Sequence, residues 1–473
     1  MKKIFIISSI ILFIYFNSIS GWNRYYGGSS WDEAYSVKQT SEGGFIIVGY
    51  TYSAGIAGDV YLIKTNEYGD TNWTSLIGGE FFDVGQSVQQ TADGGFIIGA
   101  VYDGLVSSDF WLIKTDSLGD TVWTKKFGDQ YCQWCFSVEQ TADHGYIAVG
   151  YSKFISPGSI DIWLVRVDSL GDSVWIKDYG SPQYNDVGYS VKQTLDSGFI
   201  VAGSKWSEIS NSNDFYLIKT DTQGNSVWEK SFGGNDHDDA YSVQLTSDNG
   251  YIVTGYSKSF GAGSADIWLV KTDNLGDTVW TKCLGGNAWD EAREVQQTTD
   301  GGYILIGSTQ SFGSGNFDFW LVKTDSWGDT LWTRTFGGSD DDWGYSVQPT
   351  VDGGYILTGI TESFGSGFSD IWLIKTNAQG LMVEQTIIEN PTTSQFNLRQ
   401  ISEKTVSFSF ILTKSSFVEL EIYDVSGRFT SIPISGFLNS GYHAINFKVE
   451  NSGIYFLKLN IDQQIETVKF TVF

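Results

Sequence analysis

The sequence contains few of the residues on which disulfide-rich proteins and metalloproteins depend. Its 473 residues include three cysteines, three histidines and five prolines. Three cysteines cannot build a disulfide framework for so long a chain, so the core must come from side-chain packing. Cys132 and Cys135 lack the strand-to-helix setting that lowers a thiol pKa, which favours a disulfide or two idle thiols over a redox pair. His144, His237 and His443 give no pair at metal-ligand spacing and no nucleophile triad.

Positive charge is also scarce. The chain has 29 Lys and Arg against 55 Asp and Glu, a formal net charge of −26. Nucleic-acid binding depends on neutralising phosphates with Lys and Arg, so this balance excludes it. After residue 20, no apolar run approaches the roughly 20 residues that a membrane-spanning helix requires, and we expect no transmembrane span.

The first twenty residues have the layout of a signal peptide. Lys2 and Lys3 precede an apolar run, residues 4–16, and a short stretch of small and polar residues ends at Ser20. This order predicts a signal peptide over residues 1–20, with cleavage at Ser20 and Gly21. We therefore expect a protein that is secreted or held at the outer cell surface.

The body of the chain is a repeat with a period of 50 to 53 residues. The motif Thr-x-Asp-Gly-Gly-aromatic-Ile marks each copy, and its last glycine stands at Gly44, Gly95, Gly145, Gly198, Gly250, Gly302 and Gly354. Each copy contains four strand-like runs separated by turn signals, and none has a helical period. Together with 55 glycines and 16% aromatic residues, this predicts an all-β fold, a seven-bladed β-propeller of four-stranded antiparallel blades.

The ends of the repeat indicate how the ring closes. Six copies have a tryptophan near the start of the fourth strand, whereas the seventh has Glu384. The missing piece stands at the N-terminus, where Trp22 precedes Gly27 and Gly28. We therefore predict a propeller over residues 22–385 whose N-terminal strand completes the last blade and removes the open edge.

Two motifs resemble those of known propeller repeats. The opening Gly-Gly-x-x-x-Asp-x-Ala-Tyr of residues 27–35 and the Gly-aromatic-Ile-x-x-Gly-Tyr of residues 44–50 resemble SBBP-type β-propeller repeats. The stretch Val-Lys-Thr-Asp-x-x-Gly-Asp-Thr-Val-Trp of residues 270–280 is similar to the tryptophan-docking element of quinoprotein-type propellers. From the second resemblance, which is short, we carry over tryptophan packing between blades and not quinone chemistry.

The repeat stops near residue 385, and residues 386–473 form short alternating strands without tryptophan. This pattern predicts a small Ig-like β-sandwich. It resembles the type A sorting domain of the bacterial type IX secretion system, which implies recognition by that machinery at the outer membrane. The resemblance rests on residues 389–393, 418–428, 441–443, 452–458 and 468–470, with motif positions Asn390, Pro391, Gly453, Tyr455 and Lys469. An ordinary adhesive or spacer sandwich is the alternative.

Aspartates recur at two positions of the repeat that a propeller would gather on one face. One set opens the first strand: Asp32, Asp83, Asp186, Asp238, Asp290 and Asp342, with Gln133 in the third blade. The other opens the third strand: Asp59, Asp109, Asp161, Asp214, Asp266, Asp318 and Asp370. Such a ring could bind Ca²⁺, but aspartate beside tight loops also accepts backbone hydrogen bonds without any metal. A feature shared by nearly every blade favours the second interpretation.

Positions where one blade departs from the others are better candidates for binding. These are Tyr131 and Trp134 in blade three, Trp206 and Glu208 in blade four, and Arg293, which replaces the usual aromatic residue of the first strand. Exposed aromatic rings beside carboxylates could stack on sugar rings. The alternative is that loops vary because variation there costs little.

These observations predict an exported, non-enzymatic propeller that binds polysaccharide or a surface protein and needs no cofactor, with Ca²⁺ as an open possibility. The alternative is an extracellular carbohydrate-active hydrolase or lyase that uses carboxylates at the channel mouth. An enzyme needs a few carboxylates with raised pKa in a deep pocket, whereas a binding scaffold does not.

Overall fold

The structure is a computed structural model that describes residues 21–55, 57–104, 107–153, 159–181, 183–382, 396–402, 404–412, 415–439, 441–451, 453–461 and 464–472. Every regular element in these residues is a β-strand, and they contain no helix long and apolar enough to cross a bilayer. The chain divides into a compact unit from Asn23 to Leu381 and a second that contains the C-terminal strands. The boundary predicted at residue 385 lies outside the described residues.

Twenty-eight strands form seven four-stranded sheets, which are the blades. The first strands are β2 (Asp32–Gln39), β6 (Val84–Gln90), β10 (Gln133–Gln140), β14 (Val187–Gln193), β18 (Asp238–Leu245), β22 (Asp290–Gln297) and β26 (Asp342–Pro349). The second strands are β3 (Phe45–Thr51), β7 (Phe96–Asp103), β11 (Tyr146–Lys153), β15 (Phe199–Ser207), β19 (Tyr251–Ser257), β23 (Tyr303–Thr309) and β27 (Tyr355–Thr361).

The third strands are β4 (Asp59–Thr65), β8 (Ser108–Thr115), β12 (Ile160–Val167), β16 (Ser212–Thr220), β20 (Asp266–Thr272), β24 (Asp318–Thr324) and β28 (Asp370–Thr376). The fourth strands are β5 (Thr71–Ile77), β9 (Thr121–Phe127), β13 (Ser173–Tyr179), β17 (Ser226–Phe232), β21 (Thr278–Leu284), β25 (Thr330–Phe336) and, in blade seven, β1 (Trp22–Tyr26). The predicted fold class, with seven four-stranded blades, is therefore confirmed.

The antiparallel order gives the propeller two distinct faces. Loops from the fourth to the first strand and from the second to the third strand lie on one side, here called the loop face. The tight turns from the first to the second strand and from the third to the fourth lie on the opposite side, the turn face. The third strands β20, β24 and β28 are buried along their whole length, because neighbouring blades cover both faces of each sheet.

The N-terminal strand closes the ring as the sequence predicted. β1 pairs with β28, so the outer position of blade seven is filled by the start of the chain. Blades seven and one also bond directly: Val37 N–H donates to Ser346 Oγ of the neighbouring first strand at 3.2 Å, and Asp32 N–H donates to Ser369 O, just before β28, at 3.0 Å. Because the ring closes, the first strand of every blade has a neighbouring blade on each side.

The repeated tryptophans pack between blades. Each fourth-strand tryptophan lies edge-on to the aromatic residue that begins the second strand of the next blade, with ring centroids 5.7 to 6.0 Å apart. The pairs are Trp73–Phe96, Trp123–Tyr146, Trp175–Phe199, Trp228–Tyr251, Trp280–Tyr303 and Trp332–Tyr355. Such pairs contribute about 0.5–1.5 kcal/mol each beyond burial of their area, which explains one copy per blade.

The C-terminal strands form two sheets with a shared core. One sheet has the order β29 (Phe396–Ser402), β30 (Thr405–Leu412), β33 (Gly441–Lys448), and the other has the order β32 (Phe429–Leu438), β31 (Ser416–Asp424), β34 (Gly453–Ile461), β35 (Gln464–Val472). Phe408 and Phe410 of the first sheet pack with Leu420, Leu457 and Phe470 of the second. Two antiparallel sheets around one apolar core confirm the predicted β-sandwich.

Candidate functional site

Every first strand contains a β-bulge at the same place, and the bulged residues form a ring around the propeller axis. In β2 the register shifts between Ala34 and Ser36, so Tyr35 has no partner on β3. A bulge re-aims the side chain of its extra residue. The seven bulged residues, here called the bulge ring, are Tyr35, Gln86, Phe136, Tyr189, Tyr241, Arg293 and Tyr345.

The glycine of the Gly-aromatic-Ile-x-x-Gly motif makes this bulge possible in six blades. A Cβ atom at Gly49 would collide with the carbonyl oxygen of Glu33, and one at Gly307 with that of Glu291. The same collision occurs at Gly150, Gly203, Gly255 and Gly359. In these six blades glycine leaves room for the carbonyl group at the bulge, which explains its recurrence, whereas blade two has Ala100 opposite Gly85.

Below the bulge ring, on the side of the turn face, lies a cavity of about 670 Å³. Its lining comes from the first strands of all seven blades and is mostly serine, glutamine and lysine. Neighbours in the ring contact one another, with centroids of Tyr35 and Tyr345 5.0 Å apart and those of Tyr189 and Tyr241 also 5.0 Å apart. No residue on the loop-face side of the ring contributes to the described lining, so the ring forms the floor of this cavity.

Arg293 belongs to the bulge ring. Its guanidinium carbon lies 4.2 Å from the centroid of Tyr241 and 5.6 Å from that of Tyr345, and its Nη2 lies 2.6 Å from Glu291 Oε1. A guanidinium stacks on aromatic faces, so arginine can replace the usual aromatic residue here. The structure thus places this predicted candidate inside the channel.

Glu294 connects three blades across the cavity. It replaces the serine that other first strands have after the bulge, and its carboxylate accepts hydrogen bonds from Val347 N–H at 3.0 Å, Ser346 Oγ at 2.6 Å and Lys38 Nζ at 2.8 Å. Burial disfavours its ionised form, but Lys38 and these hydrogen bonds outweigh burial and lower its pKa. This carboxylate is therefore held ionised.

A second feature, on the loop face, is a group of adjoining aromatic residues, three exposed and one half-buried, here called the aromatic array: Trp31, Tyr52, Phe82 and Phe368. Trp31 stacks on Phe368 with centroids 4.7 Å apart, and Tyr52 stacks on Phe82 at 5.4 Å. The two stacks meet edge-on, since Trp31 and Tyr52 are 6.2 Å apart. Phe368 is 63% exposed, Trp31 47% and Tyr52 43%. Blades seven, one and two together form this surface.

Sequence reasoning missed the aromatic array, although its own criterion could have found it. The residue before the first-strand aspartate is Trp31 in blade one, Phe82 in blade two and Trp289 in blade six, whereas blades four and seven have Asn185 and Asp341. Phe368 stands where blade six has Asn316 and blade five has Ser264. These residues depart from the repeat. Their proximity, however, follows from the order of the blades around the ring, which places residues of separate blades side by side.

The predicted first-strand aspartates are buried between blades and bonded by protein donors. Asp32 accepts hydrogen bonds from Gly28 N–H at 2.8 Å and Ser53 Oγ at 2.6 Å. Asp83, Asp186, Asp238, Asp290 and Asp342 each accept a backbone N–H bond from the preceding loop, at 2.6 to 3.0 Å. In blade three, Gln133 Oε1 accepts the corresponding bond from Asp129 N–H at 3.3 Å. Burial raises the pKa of Asp83 to about 6.

A calcium ion takes six to eight oxygen ligands, and protein donors compete with it for the first-strand aspartates. The carboxylate oxygens of Asp32 are already engaged by Gly28, Thr51 and Ser53. In the part of the chain that the structure describes, no group of three or more His, Cys, Asp or Glu side chains could hold a metal ion. None of the predicted aspartates lines the cavity either.

The other predicted candidates lie apart from one another. In blade three, Tyr131 is half-buried in a loop and Trp134 Nε1 donates to Ser108 Oγ at 3.0 Å. In blade four, Trp206 stacks on Tyr184 at 5.3 Å, and Glu208 is exposed at the tip of a loop. Within the described residues, no contact joins these two pairs to each other or to Arg293.

Cys132, Cys135 and Cys283 are free thiols. Cys135 is fully buried, which raises the pKa of its thiol and makes it unreactive. Of the two alternatives favoured from the sequence, the structure has the idle thiols.

Among the predicted sorting-domain positions, Tyr455 lies in the sandwich core and donates a hydrogen bond to Asn451 O at 2.8 Å. Gly453 begins β34, and Lys469 is exposed on β35. Asn390 and Pro391 lie outside the described residues, as does Ser20 of the predicted cleavage site, whereas Gly21 is described and buried.

No family model matches the chain. Among curated proteins it is similar to the regulatory protein FlaEY of Caulobacter vibrioides, with 27% identity over 181 residues that cover 33% of this chain and 19% of that protein. The chain thus matches about a fifth of the length of that relative.

Several solved structures show similarity at low identity. The Pan2 WD40 domain of Neurospora crassa is 9% identical with a TM-score of 0.46, and the match covers 72% of this chain and 89% of that one. Sqt1 from Chaetomium thermophilum is 9% identical with a TM-score of 0.44, covering 81% and 95% of the two chains. A puromycin hydrolase is 13% identical with a TM-score of 0.41, covering 71% and 50%. The seven-bladed β-propeller fold of this chain is established by the pairing of its own strands.

Proposed function

We propose that this protein is an exported, non-enzymatic binding module that holds polysaccharide on the aromatic array of its loop face. The observation that carries the proposal is a cluster of four adjoining aromatic side chains, drawn from three blades, of which Trp31, Tyr52 and Phe368 are exposed and Phe82 is half-buried. Large exposed aromatic clusters are unusual on a soluble surface and mark interaction sites. The C–H face of a pyranose ring packs against an aromatic ring, so each exposed ring offers a place for one sugar.

The size of the aromatic array favours a glycan over a protein partner. A standard protein–protein interface buries about 800 Å² on each side. Four rings, each partly covered by its neighbour, supply only a small fraction of that area. A sugar chain needs little more than the rings and a few polar groups that accept its hydroxyl hydrogens.

Within the cavity, the carboxylate content supports binding rather than hydrolysis. The cavity has a single carboxylate in its described lining, Glu294, and its pKa is lowered rather than raised. A general acid for glycoside cleavage requires a raised pKa and a second carboxylate at a fixed separation. Asp83 does have a raised pKa, but backbone N–H groups of Gly79 and Asp103 hold its oxygens at 2.9 Å.

The delivery route proposed is the type IX secretion system, with SBBP-type blades as cargo and the C-terminal sandwich as sorting domain. The motifs around Gly453, Tyr455 and Lys469 support this. Replacing the exposed Lys469 by alanine should leave the protein in the periplasm of a host that has this system. Lys448→Ala, an exposed lysine of the other sheet, is the matched control. Equal secretion of the two variants would argue for a spacer sandwich.

The binding proposal is tested with the mature full-length protein on a glycan array and by affinity electrophoresis in polysaccharide gels. The variant Trp31→Ala/Phe368→Ala should lose retention, because it removes one of the two ring stacks. Trp327→Ala is the control, since Trp327 is 65% exposed on a turn of the opposite face. If all three proteins migrate alike in every polysaccharide, the proposal is wrong. Release of new reducing ends from any polysaccharide would establish the hydrolase alternative.

A further inference from the structure

We infer that the aromatic array selects glycans that carry free amino groups. This inference rests on the binding function proposed above and names the class of sugar that the array takes. It follows from the charges that border the array and from the absence, in the described residues, of cations that would neutralise them.

Four carboxylates lie at the loop-face ends of blades seven and one: Glu362 shares its loop with Phe368, Glu33 is two residues from Trp31, and Asp340 and Asp341 precede β26. Glu362 is exposed and begins the loop that carries Phe368, and its backbone N–H donates to Asp341 O at 2.9 Å. Asp340 is exposed and Asp341 half-buried on the adjoining loop, while Glu33 accepts a hydrogen bond from Tyr35 Oη at 2.5 Å. None of the four takes part in an ion pair with any described residue.

These carboxylates repel one another. Partial burial and the charges of Asp341, Asp340 and Glu33 raise the pKa of Glu362. A raised pKa means that the ionised form is held at a cost, and a cation placed there would remove that cost. A positively charged group bound beside Glu362 would therefore be stabilised.

The negative charge belongs to this part of the loop face and does not simply follow the net charge of the chain. The backbone bond from Glu362 to Asp341 recurs in blade three as Lys153 to Cys132 and in blade five as Lys258 to His237. The same position therefore has lysine in two blades and glutamate in blade seven. Long-range repulsion from these four carboxylates would disfavour the binding of uronic acid or sulfated polymers near the array.

An amino sugar can contact both the aromatic rings and the carboxylates of this surface. Its ring packs on Trp31, Tyr52 or Phe368, and its ammonium group donates to the Glu362 or Asp341 carboxylate, a charge-assisted bond about twice as strong as a neutral one. A cation near an aromatic face gains further stabilisation. N-acetylation removes the charge while leaving the pyranose ring, so it should remove the electrostatic part of binding and leave the stacking part.

The test compares two hexasaccharides of one backbone, the glucosamine hexamer and the N-acetylglucosamine hexamer, by calorimetric titration of the mature full-length protein in slightly acidic buffer. We expect the glucosamine hexamer to bind at least about tenfold more tightly, a difference of about 1.4 kcal/mol. Glu362→Gln should reduce this preference several-fold without changing affinity for the acetylated hexamer. Glu67→Gln, an exposed glutamate of the turn face, is the matched control.

The outcomes separate this inference from the proposed function. Equal affinity for both hexamers, lost in Trp31→Ala/Phe368→Ala, would overturn the inference and leave the binding function in place. Binding of the glucosamine hexamer that persists in Trp31→Ala/Phe368→Ala would mean attraction to a general acidic surface, and the inference fails. Tighter binding of a lysine-rich hexapeptide would identify a basic protein segment as the ligand and would also overturn it. No binding of any glycan contradicts the proposed function itself.

Discussion

Replacing Glu294 tests whether the charge network of the cavity stabilises the ring. Glu294→Ala removes four hydrogen bonds, from Lys38, Gln296, Ser346 and Val347, and leaves Lys38 facing the cavity without its partner. Breaking a buried ion pair costs about 3–5 kcal/mol. The side chains of Lys38 and Glu294 are 23% and 15% exposed, so water offsets part of this and we expect about 3 kcal/mol. Glu294→Ser introduces the residue that other blades have, keeps a bond to Val347 N–H, and should cost about 1–2 kcal/mol.

Scanning calorimetry of the propeller transition provides the measurement. A unit of about 360 residues has an unfolding entropy of roughly 2.1 cal/mol/K per residue, so each kcal/mol shifts the melting temperature by about 1.3 °C. We therefore expect decreases of about 4 °C for Glu294→Ala and about 2 °C for Glu294→Ser. The double variant Lys38→Met/Glu294→Ser should be less destabilised than the sum of the two single changes, because the removed groups are partners.

The pH dependence gives an independent check. Because the pKa of Glu294 is lowered from its ordinary value of 4.5, its contribution is fully present above that value and is lost as the pH falls through the folded-state pKa. The difference between the wild-type protein and Glu294→Ala should therefore shrink in acid. A constant difference at all pH values, or equal melting temperatures for the alanine and serine variants, would refute this account of the cavity.

Three further predictions concern the repeat. Adding a chelator should leave the melting temperature of the propeller unchanged, since each first-strand aspartate already accepts a backbone N–H hydrogen bond, and a decrease would reveal a structural cation. Gly307→Ala should destabilise the propeller by several kcal/mol or prevent folding, because its Cβ meets a carbonyl oxygen, whereas Gly301→Ala, in open space at φ +83°, should cost only about 1 kcal/mol; similar melting temperatures would contradict this. The pKa of Asp248 is lowered to about 2 by hydrogen bonds from Thr246 and Lys271 that outweigh burial, so its contribution is present above its ordinary pKa of 3.8 and should be lost as the pH falls toward 2. Acid unfolding followed by tryptophan fluorescence should begin at higher pH in Lys271→Met than in the wild-type protein.

Much of the fold could be predicted because the same sequence motif recurs seven times along the chain. The spacing of Gly44 and its equivalents set the blade length, and the place of Trp22 predicted which strand closes the ring. The apolar third strands indicated sheets that are covered on both faces, since a strand needs polar residues only on a face that contacts water. The candidate site was less accessible, because single departures such as Arg293 and Trp206 do not reveal which of them meet in space.

The sequence by itself determined the blade count, the strand order within each blade, the closure by the N-terminal strand and the packing role of the repeated tryptophans. All of these follow from short-range patterns that repeat along the chain. Only the tertiary structure decided that the first-strand aspartates accept hydrogen bonds from backbone N–H groups of the preceding loops, that Arg293 belongs to a ring of bulged residues, and that Phe368 and Trp31 stack although 337 positions separate them. The physical reason is ring closure, which brings the two ends of the chain together and creates contacts that no local pattern contains.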